Sequence, residues 1–444
     1  MKSIIFILVF ACSAFTGLGQ KKTKAGEAAV ISAATVERVA KTLSADAMQG
    51  RSGQIGGVLA AKFLAAEFTR IGIEKFPGLT TFEQTFTAYE TRTTALYVLL
   101  NNVPVAKEKT VLVSGQPHLN WAEDDDPAPR VIVLGAEANF SKAIRPLLEP
   151  TENTVVFIDP AHEESFKKLS RHLKGGQLQS QKPGPFSTVL AVVAVGNNPI
   201  HYRVAANTTV RPVEMRNVVG VLPGLNPERA DETVVFSAHY DHLGFLPAVA
   251  GDSIANGADD DASGTSAVVA LAEYFKKRND NARTLVFVAF TAEEIGGFGS
   301  QYFSRQLPPQ KVAAMFNIEM IGKPAKFGPK TAFITGYDKS DFGKILQRNL
   351  AGSPFRFEPD PYPEQQLFYR SDNATLARLG VPAHTISTDQ IPTDKLYHTV
   401  DDEVESLDLN NMAAVISAIA QSATSIVAGQ DTPTRITNAG SIVR

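Results

Sequence analysis

Carboxylates and imidazoles recur in this chain directly after short apolar runs, where an open sheet would present side chains along one edge. ETVVFSA is followed by His239 and Asp241, and the next loop, ANGADDDASG, holds Asp259, Asp260 and Asp261. RTLVFVAF is followed by Glu293 and Glu294, and AAMFNI ends at Glu319. AHTIST leads into a loop with Tyr397, His398, Asp401 and Asp402. Taken singly, each group has an ordinary explanation. A strand-end His is usually a satisfied polar residue, a Glu pair in a loop is usually solvated, and an Asp run before a helix usually caps it. Glu319 fits none of these, because it closes an apolar run, where an unpaired carboxylate is costly. Four strand ends delivering such groups to one edge point to a site.

Two imidazoles with three or four carboxylates and no thiolate form a mixed oxygen and nitrogen donor set. It suits Zn2+, with Co2+ or Mn2+ as alternatives. Carboxylates gathered so closely repel unless cations separate them. Two ions roughly 3.5 to 4 Å apart, bridged by one carboxylate and a water, would satisfy the whole group. The HxD spacing also lets Asp241 accept the second ring N–H of His239 and fix its tautomer.

These groups need a frame, and the second half of the chain supplies one. Strands NVVGVLPG, ETVVFSA, RTLVFVAF and AAMFNIEM alternate with the helix SGTSAVVALAEYFKK and a helix near 299 to 306. That alternation predicts an α/β fold with a mainly parallel central sheet and helices on both faces. In such a sheet ligands gather at the carboxyl ends of the strands. Ala60, Leu64, Phe68 and Ile71 make one stripe of a helix that Gly72 can stop in the left-handed region. Val268, Leu271 and Phe275 share a helix face, and a closing helix carries Met412, Val415, Ile416 and Ile419. Between about 90 and 215 the apolar runs shorten to VLV, RVIVLG, TVVFID and VLAVVAVG, broken by WAEDDDPAP and KGGQLQSQKPGP. This stretch reads as an inserted β-rich subdomain. The tail from Gly429 to Arg444 has no periodicity and is expected to be loosely held.

Composition bounds the rest. At about 150 residues per domain, 444 residues suggest roughly three domains or subdomains. Lys and Arg total 43 against 46 Asp and Glu, a net charge of −3, which leaves no footprint for nucleic acid. Lys2, the apolar run from Ile4 to Phe15 and the small residues that follow have the layout of a secretory signal over 1–20. It is too short to span a bilayer, so no transmembrane segment is expected in the mature chain. The only cysteine, Cys12, lies inside it, and a chain processed near Lys21 has no disulfide and no thiol nucleophile. Export to the periplasm or beyond follows. A lipid anchor at Cys12 is the lesser alternative, with a short apolar stretch before it and bulky Phe10 beside it.

The motifs SAHYDHLG, NGADDDASG, FTAEEIGGFGS, NIEMIG and YHTVDD, with LSADAMQGRSG nearer the start, resemble the co-catalytic zinc aminopeptidases of the M28 type. That family shares its fold with glutaminyl cyclases and glutamate carboxypeptidase II. The resemblance implies a phosphorylase/hydrolase-like zinc exopeptidase fold over 27–100 and 211–428. The insertion at 101–210 would be a lid or a protease-associated-like subdomain. It implies two Zn2+ ions, one held by His239, Asp260 and Glu319, the other by Asp260, Glu294 and His398. Asp260 is the bridge because the family's bridging Asp lies four residues before the Gly that ends ASG, here Gly264. Glu293 falls on the general base and Tyr397 on the group that hydrogen-bonds the developing oxyanion. The substrates implied are peptides, cleaved from the free amino terminus.

Two positions depart from the pattern: Glu319 stands where many members have Asp, and Asp261 where many have Asn. Asp372, in RSDNATLARLGVPA, matches a stretch near the family's site, although Asn373 replaces a His common there. His242 reads as loop structure and Trp121 as packing or a rim contact. Two other readings compete: a glutaminyl-cyclase-like acyl transferase using one metal, and a non-catalytic scaffold of the same fold. The complete ligand set argues against both.

Overall fold

The computed structural model describes residues 29–174, 176–196 and 199–437. The leader expected at 1–20 lies outside them. A twelve-stranded sheet forms the frame, and its centre is parallel. Thr284–Phe290, Thr233–His239, Val312–Ile318 and Ala383–Ser387 lie side by side in that order, all pointing the same way. Four carboxyl ends therefore open on one edge, and at that edge the charged residues begin.

Alternation within these strands divides the core. Val234, Phe236 and Ala238 face one side, where Ala33–Leu43, Gly56–Ile71, Gly264–Arg278 and Leu409–Ser422 cover them. Val235, Val286 and Val288 face the other, under Phe298–Ser304 and Asn373–Ala377. Phe236 stacks on Phe287 and Phe316 and tilts against Phe275. Each such fully buried ring contributes roughly 1.5 to 3 kcal/mol. The helix Gly264–Arg278 is buried on nearly every side from Gly264 to Ala272, so its apolar stripe is wider than a surface helix would need. Gly72 closes the helix before it at φ 76°, in the left-handed region.

NVVGVLPG does not join the parallel set. It is the end of a long strand, Tyr202–Leu222, that runs antiparallel to Thr284–Phe290 and to Glu83–Leu100. A hairpin-like return, not a crossover helix, brings it into the sheet, and only a crossover delivers a parallel neighbour. The far halves of these two long strands carry the sheet beyond its parallel centre. Val98, Leu100, Tyr202 and Val204 pack there against a second, four-stranded sheet. That sheet has the order Thr110–Ser114, Ser187–Val192, Thr154–Ile158 and Arg130–Leu134. The four apolar runs of the insertion are its strands. Trp121 is buried in the same cluster, and Phe166 of the helix Glu163–Lys174 covers the opposite face.

The tail departs from expectation over the residues described. Ile436 is buried and donates its N–H to Gly380, while Arg435 reaches the Val312 carbonyl at 2.8 Å. Arg283, fully buried, donates to the carbonyls of Ile426 and Asp431. A segment without periodicity is thus held by side-chain to backbone bonds, which leave no pattern in sequence. Residues 438–444 lie outside the description.

Candidate metal centre

His239 ends its strand, 1% exposed, with Nε2 3.2 Å from Asp260 Oδ1. The other oxygen of the same carboxylate, Oδ2, lies 3.3 Å from His398 Nε2. Glu294 Oε2 is 3.1 Å from His398 Nε2. The residues picked out at three of the strand ends thus meet around one carboxylate. Glu319 joins the same buried group, close enough that His239, Asp260 and Glu294 all act on its charge.

Three consecutive aspartates sit at this point, and their partners separate them. Asp259 Oδ1 accepts the Gly322 N–H and the Ser263 hydroxyl. Asp261 accepts the N–H groups of Met320, Gly264 and His239. Both neighbours are engaged in holding the surrounding backbone. Only Asp260 turns one oxygen to each imidazole.

Neighbouring backbone is held in unusual conformations. Ala292, Met320 and His398 all have positive φ, at 60°, 52° and 58°. For non-glycine residues this region is costly and persists only where the surroundings over-determine it. Ala292 precedes Glu293 and Glu294, Met320 follows Glu319, and His398 is itself a candidate ligand. Tyr397 stacks on His398 with ring centroids 3.9 Å apart, which ties the phenol to the imidazole.

Burial and charge shift these groups in opposite directions. Asp260 and Glu294 lie below the ordinary carboxylate range: burial works against them, but the imidazoles of His239 and His398 close to the first, and of His242 and His398 close to the second, outweigh it. His398 is pushed up to about 10, first by its bond to Asp260 and then by that to Glu294. Burial, with the charge of Glu319 and Asp372 added, drives the Glu293 carboxyl well above its usual range. Burial also lifts Asp372 to about 7, with the charge of Glu319 adding to the shift and the Ser300 hydroxyl opposing it.

The donor set fits a divalent cation. His239 Nε2 and Glu319 Oε2 are buried without hydrogen-bond partners, a costly state that a bound ion would relieve. Imidazole and carboxylate without thiolate are the donors of zinc, cobalt and manganese sites.

One expectation is corrected. The Asp241 carboxylate does not take the ring N–H of His239: Nδ1 donates instead to the Asp241 backbone carbonyl at 3.2 Å, with the carboxylate 3.8 Å away. That carboxylate accepts the backbone N–H groups of Glu293, at 3.1 Å, and Glu294, at 3.4 Å. It holds the glutamate loop, an arrangement a two-residue spacing cannot reveal. Asn373 is likewise engaged with the Phe368 and Ala383 carbonyls.

Two contributors had little sequence signal. His242 lies within the cluster, 2.8 Å from Glu294. Arg51, in LSADAMQGRSG, is fully buried and donates to the carbonyls of Leu43, Tyr240, Asn256, Gly257 and Asp260. It thereby fastens both loops that carry His239 and Asp260. A cleft opens beside Glu319 and Tyr397, lined by Phe333, Leu367, Ile391 and Arg370. A wider hollow at Leu225, Pro227 and Ala282 lies before the strands, at the opposite edge, and contains none of these groups.

Known proteins resemble this chain in sequence and in fold. Residues 217–423 match Peptidase family M28. A leucine aminopeptidase 1 of Pyrenophora tritici-repentis is 26% identical over 296 residues, 62% of this chain and 70% of that protein. A leucine aminopeptidase 1 of Ajellomyces capsulatus is 28% identical over 211 residues, and there the chain spans about half, 52%, of its relative. Among solved structures, a zinc aminopeptidase from Bacillus subtilis superposes with a TM-score of 0.53 at 15% identity, covering 91% of this chain and 97% of its own. An aminopeptidase from Aneurinibacillus sp. strain AM-1 gives 0.52 at 17%, covering 89% and 94%. At these identities the structural likeness speaks for the fold. No helix among the described residues is long and apolar enough to cross a membrane.

Proposed function

We propose, since residues 217–423 match peptidase family M28, that this protein is a metal-dependent aminopeptidase acting through a pair of divalent cations. The observation that carries the reading is Asp260, with one carboxylate oxygen 3.2 Å from His239 and the other 3.3 Å from His398. In this reading His239, Asp260 and Glu319 hold one ion, and Asp260, Glu294 and His398 the other. The donors suit zinc. Bound there, the ions supply Lewis acidity and lower the pKa of a water.

The chain's own groups account for the remaining steps. Glu293 is held by its N–H on Asp241, and its raised carboxyl suits a base that takes a proton and passes it to the leaving amine. Burial and nearby carboxylates push the Tyr397 phenol above its ordinary value, so it stays protonated and can donate to a developing oxyanion. The cleft beside Glu319 and Tyr397 would take the side chain of the first residue. The amino terminus of a peptide would lie against Glu293 and Glu319, which limits cleavage to one residue at a time. The apolar leader from Ile4 to Phe15 supports export, so that the peptides are met outside the cytoplasm.

A panel of chromogenic aminoacyl amides, with free and with blocked amino groups, tests the reading before and after chelation. Cleavage of free amines alone, lost on chelation and restored by Zn2+, is expected. Cleavage of blocked substrates alone, or activity indifferent to chelation, would overturn it.

A further inference from the structure

We infer that His242 is a positioning residue for one of the two cation sites: it fixes one oxygen of Glu294 and leaves the other to face His398. The inference rests on the two-ion reading above. His242 follows His239 by three residues, in the irregular segment that leaves the strand. Its side chain has no exposure, and Nδ1 lies 2.8 Å from Glu294 Oε1. The second oxygen, Oε2, lies 3.1 Å from His398 Nε2. Glu294 is therefore held between two imidazoles, one on each oxygen.

Distances distinguish a positioning group from a further ligand. Two donors on one tetrahedral ion, each about 2.0 to 2.2 Å from it, lie roughly 3.3 to 3.6 Å apart. His242 Nδ1 is closer than that to Glu294, at 2.8 Å, and farther from Asp260 Oδ2, at 3.8 Å. This asymmetry is that of an N–H donated to one carboxylate. His242 Nε2 has no hydrogen-bond partner, so the contact with Glu294 is the ring's hydrogen bond at the site. Outer-shell bonds of this kind orient a ligating carboxylate, and their loss typically weakens metal binding by about 10- to 100-fold.

Packing keeps the ring in place. A Cβ on Gly257 would lie 2.5 Å from Cγ and Cδ2 of His242, so the ring rests where only glycine leaves room. On another side it meets His398 edge to face, with centroids 5.9 Å apart. Glu319 has no imidazole bracing it in this way: the Ser371 hydroxyl is its side-chain neighbour, and its Oε2 is without a partner. The two sites are therefore unequal: only one has its glutamate braced by a third imidazole.

The test is calorimetric titration of metal-stripped protein with Zn2+, comparing wild type, His242→Ala, His242→Asn and His242→Gln, with thermal melts of each. Asn can place an N–H near Nδ1, whereas Gln reaches toward the Nε2 position. Wild type should take two ions per chain. In His242→Ala and His242→Gln one binding step should weaken about 10-fold or more while the other stays within about two-fold, and His242→Asn should recover most of the loss. Unchanged steps in His242→Ala, equal weakening of both, or no recovery in His242→Asn would overturn the inference while leaving the two-ion reading intact. A wild type that fails to take two ions would end that reading, and this inference with it.

Discussion

The carboxylate of Asp402 accepts the backbone N–H of Asp260 at 3.1 Å, and the same oxygen accepts that of Asp259 at 3.0 Å. The loop that carries Tyr397 and His398 is thereby joined to the backbone of the carboxylate that His398 faces. Lys323 strengthens the joint, 2.7 Å from Asp394 and 3.2 Å from Asp259. Replacing Asp402 with Ala leaves two buried donors unsatisfied, at about 1 to 3 kcal/mol each. We predict a loss of unfolding free energy in that range or above, together with weaker Zn2+ binding by titration. A variant that unfolds earlier yet binds both ions as wild type does would show that the joint serves stability alone.

Arg51 provides a second, independent constraint. Its guanidinium satisfies five carbonyls from three segments, and burial alone would drive it toward the neutral form, an effect that the charge of Asp260 and Asp402 opposes. Arg51→Met should cost roughly 3 to 5 kcal/mol, because buried polar partners lose their only common donor. Chemical denaturation measures this. A loss below about 1 kcal/mol would mean that water replaces the guanidinium.

Glu293 makes no close contact with an imidazole, unlike Glu294 beside it, so the two should separate by experiment. Glu293→Ala is expected to retain both ions by elemental analysis while turnover falls by about 10²- to 10⁴-fold, the usual weight of a general base. Retained turnover would remove Glu293 from that role.

His384, bonded to none of the candidate ligands, should give a pH response of its own. Buried between the Thr335 carbonyl and the Ser340 hydroxyl, it is lowered from 6.5 to about 4 by desolvation. The unfolded chain therefore binds one more proton than the folded one between these values, so stability falls as pH falls through that window and levels below it. The loss is about 3 kcal/mol at most, at 1.36 kcal/mol per pKa unit. Urea denaturation from pH 7 to 4 should show this slope in wild type and a shallower one in His384→Gln. Equal slopes would remove His384 as the source.

What could be read from the sequence depended on the range of each interaction. Ala60, Leu64 and Phe68 declared a helix face because the signal lies within one helix, and all three are buried. Strand ends were legible because apolar runs stop where charge begins, which brought His239, Asp260, Glu294 and His398 into view. Asp241 and His242 were misjudged, since their partners stand 52 residues away on another strand's loop. No local pattern encodes that. Arg51 was hidden for a different reason: charged residues are almost never fully buried, so composition argues against the place it occupies. The tail around Ile436 was hidden likewise, held by the Ile436 N–H on Gly380 and by the Arg435 and Arg283 side chains on distant or irregular backbone, bonds that follow no periodicity.

Anomalous scattering at the zinc edge, from crystals grown with Zn2+, tests the central claim most directly. Two peaks per chain are predicted, one on each side of the Asp260 carboxylate, the first against His239 and Glu319 and the second against Glu294 and His398. A single peak, or none within bonding distance of Asp260, would contradict it.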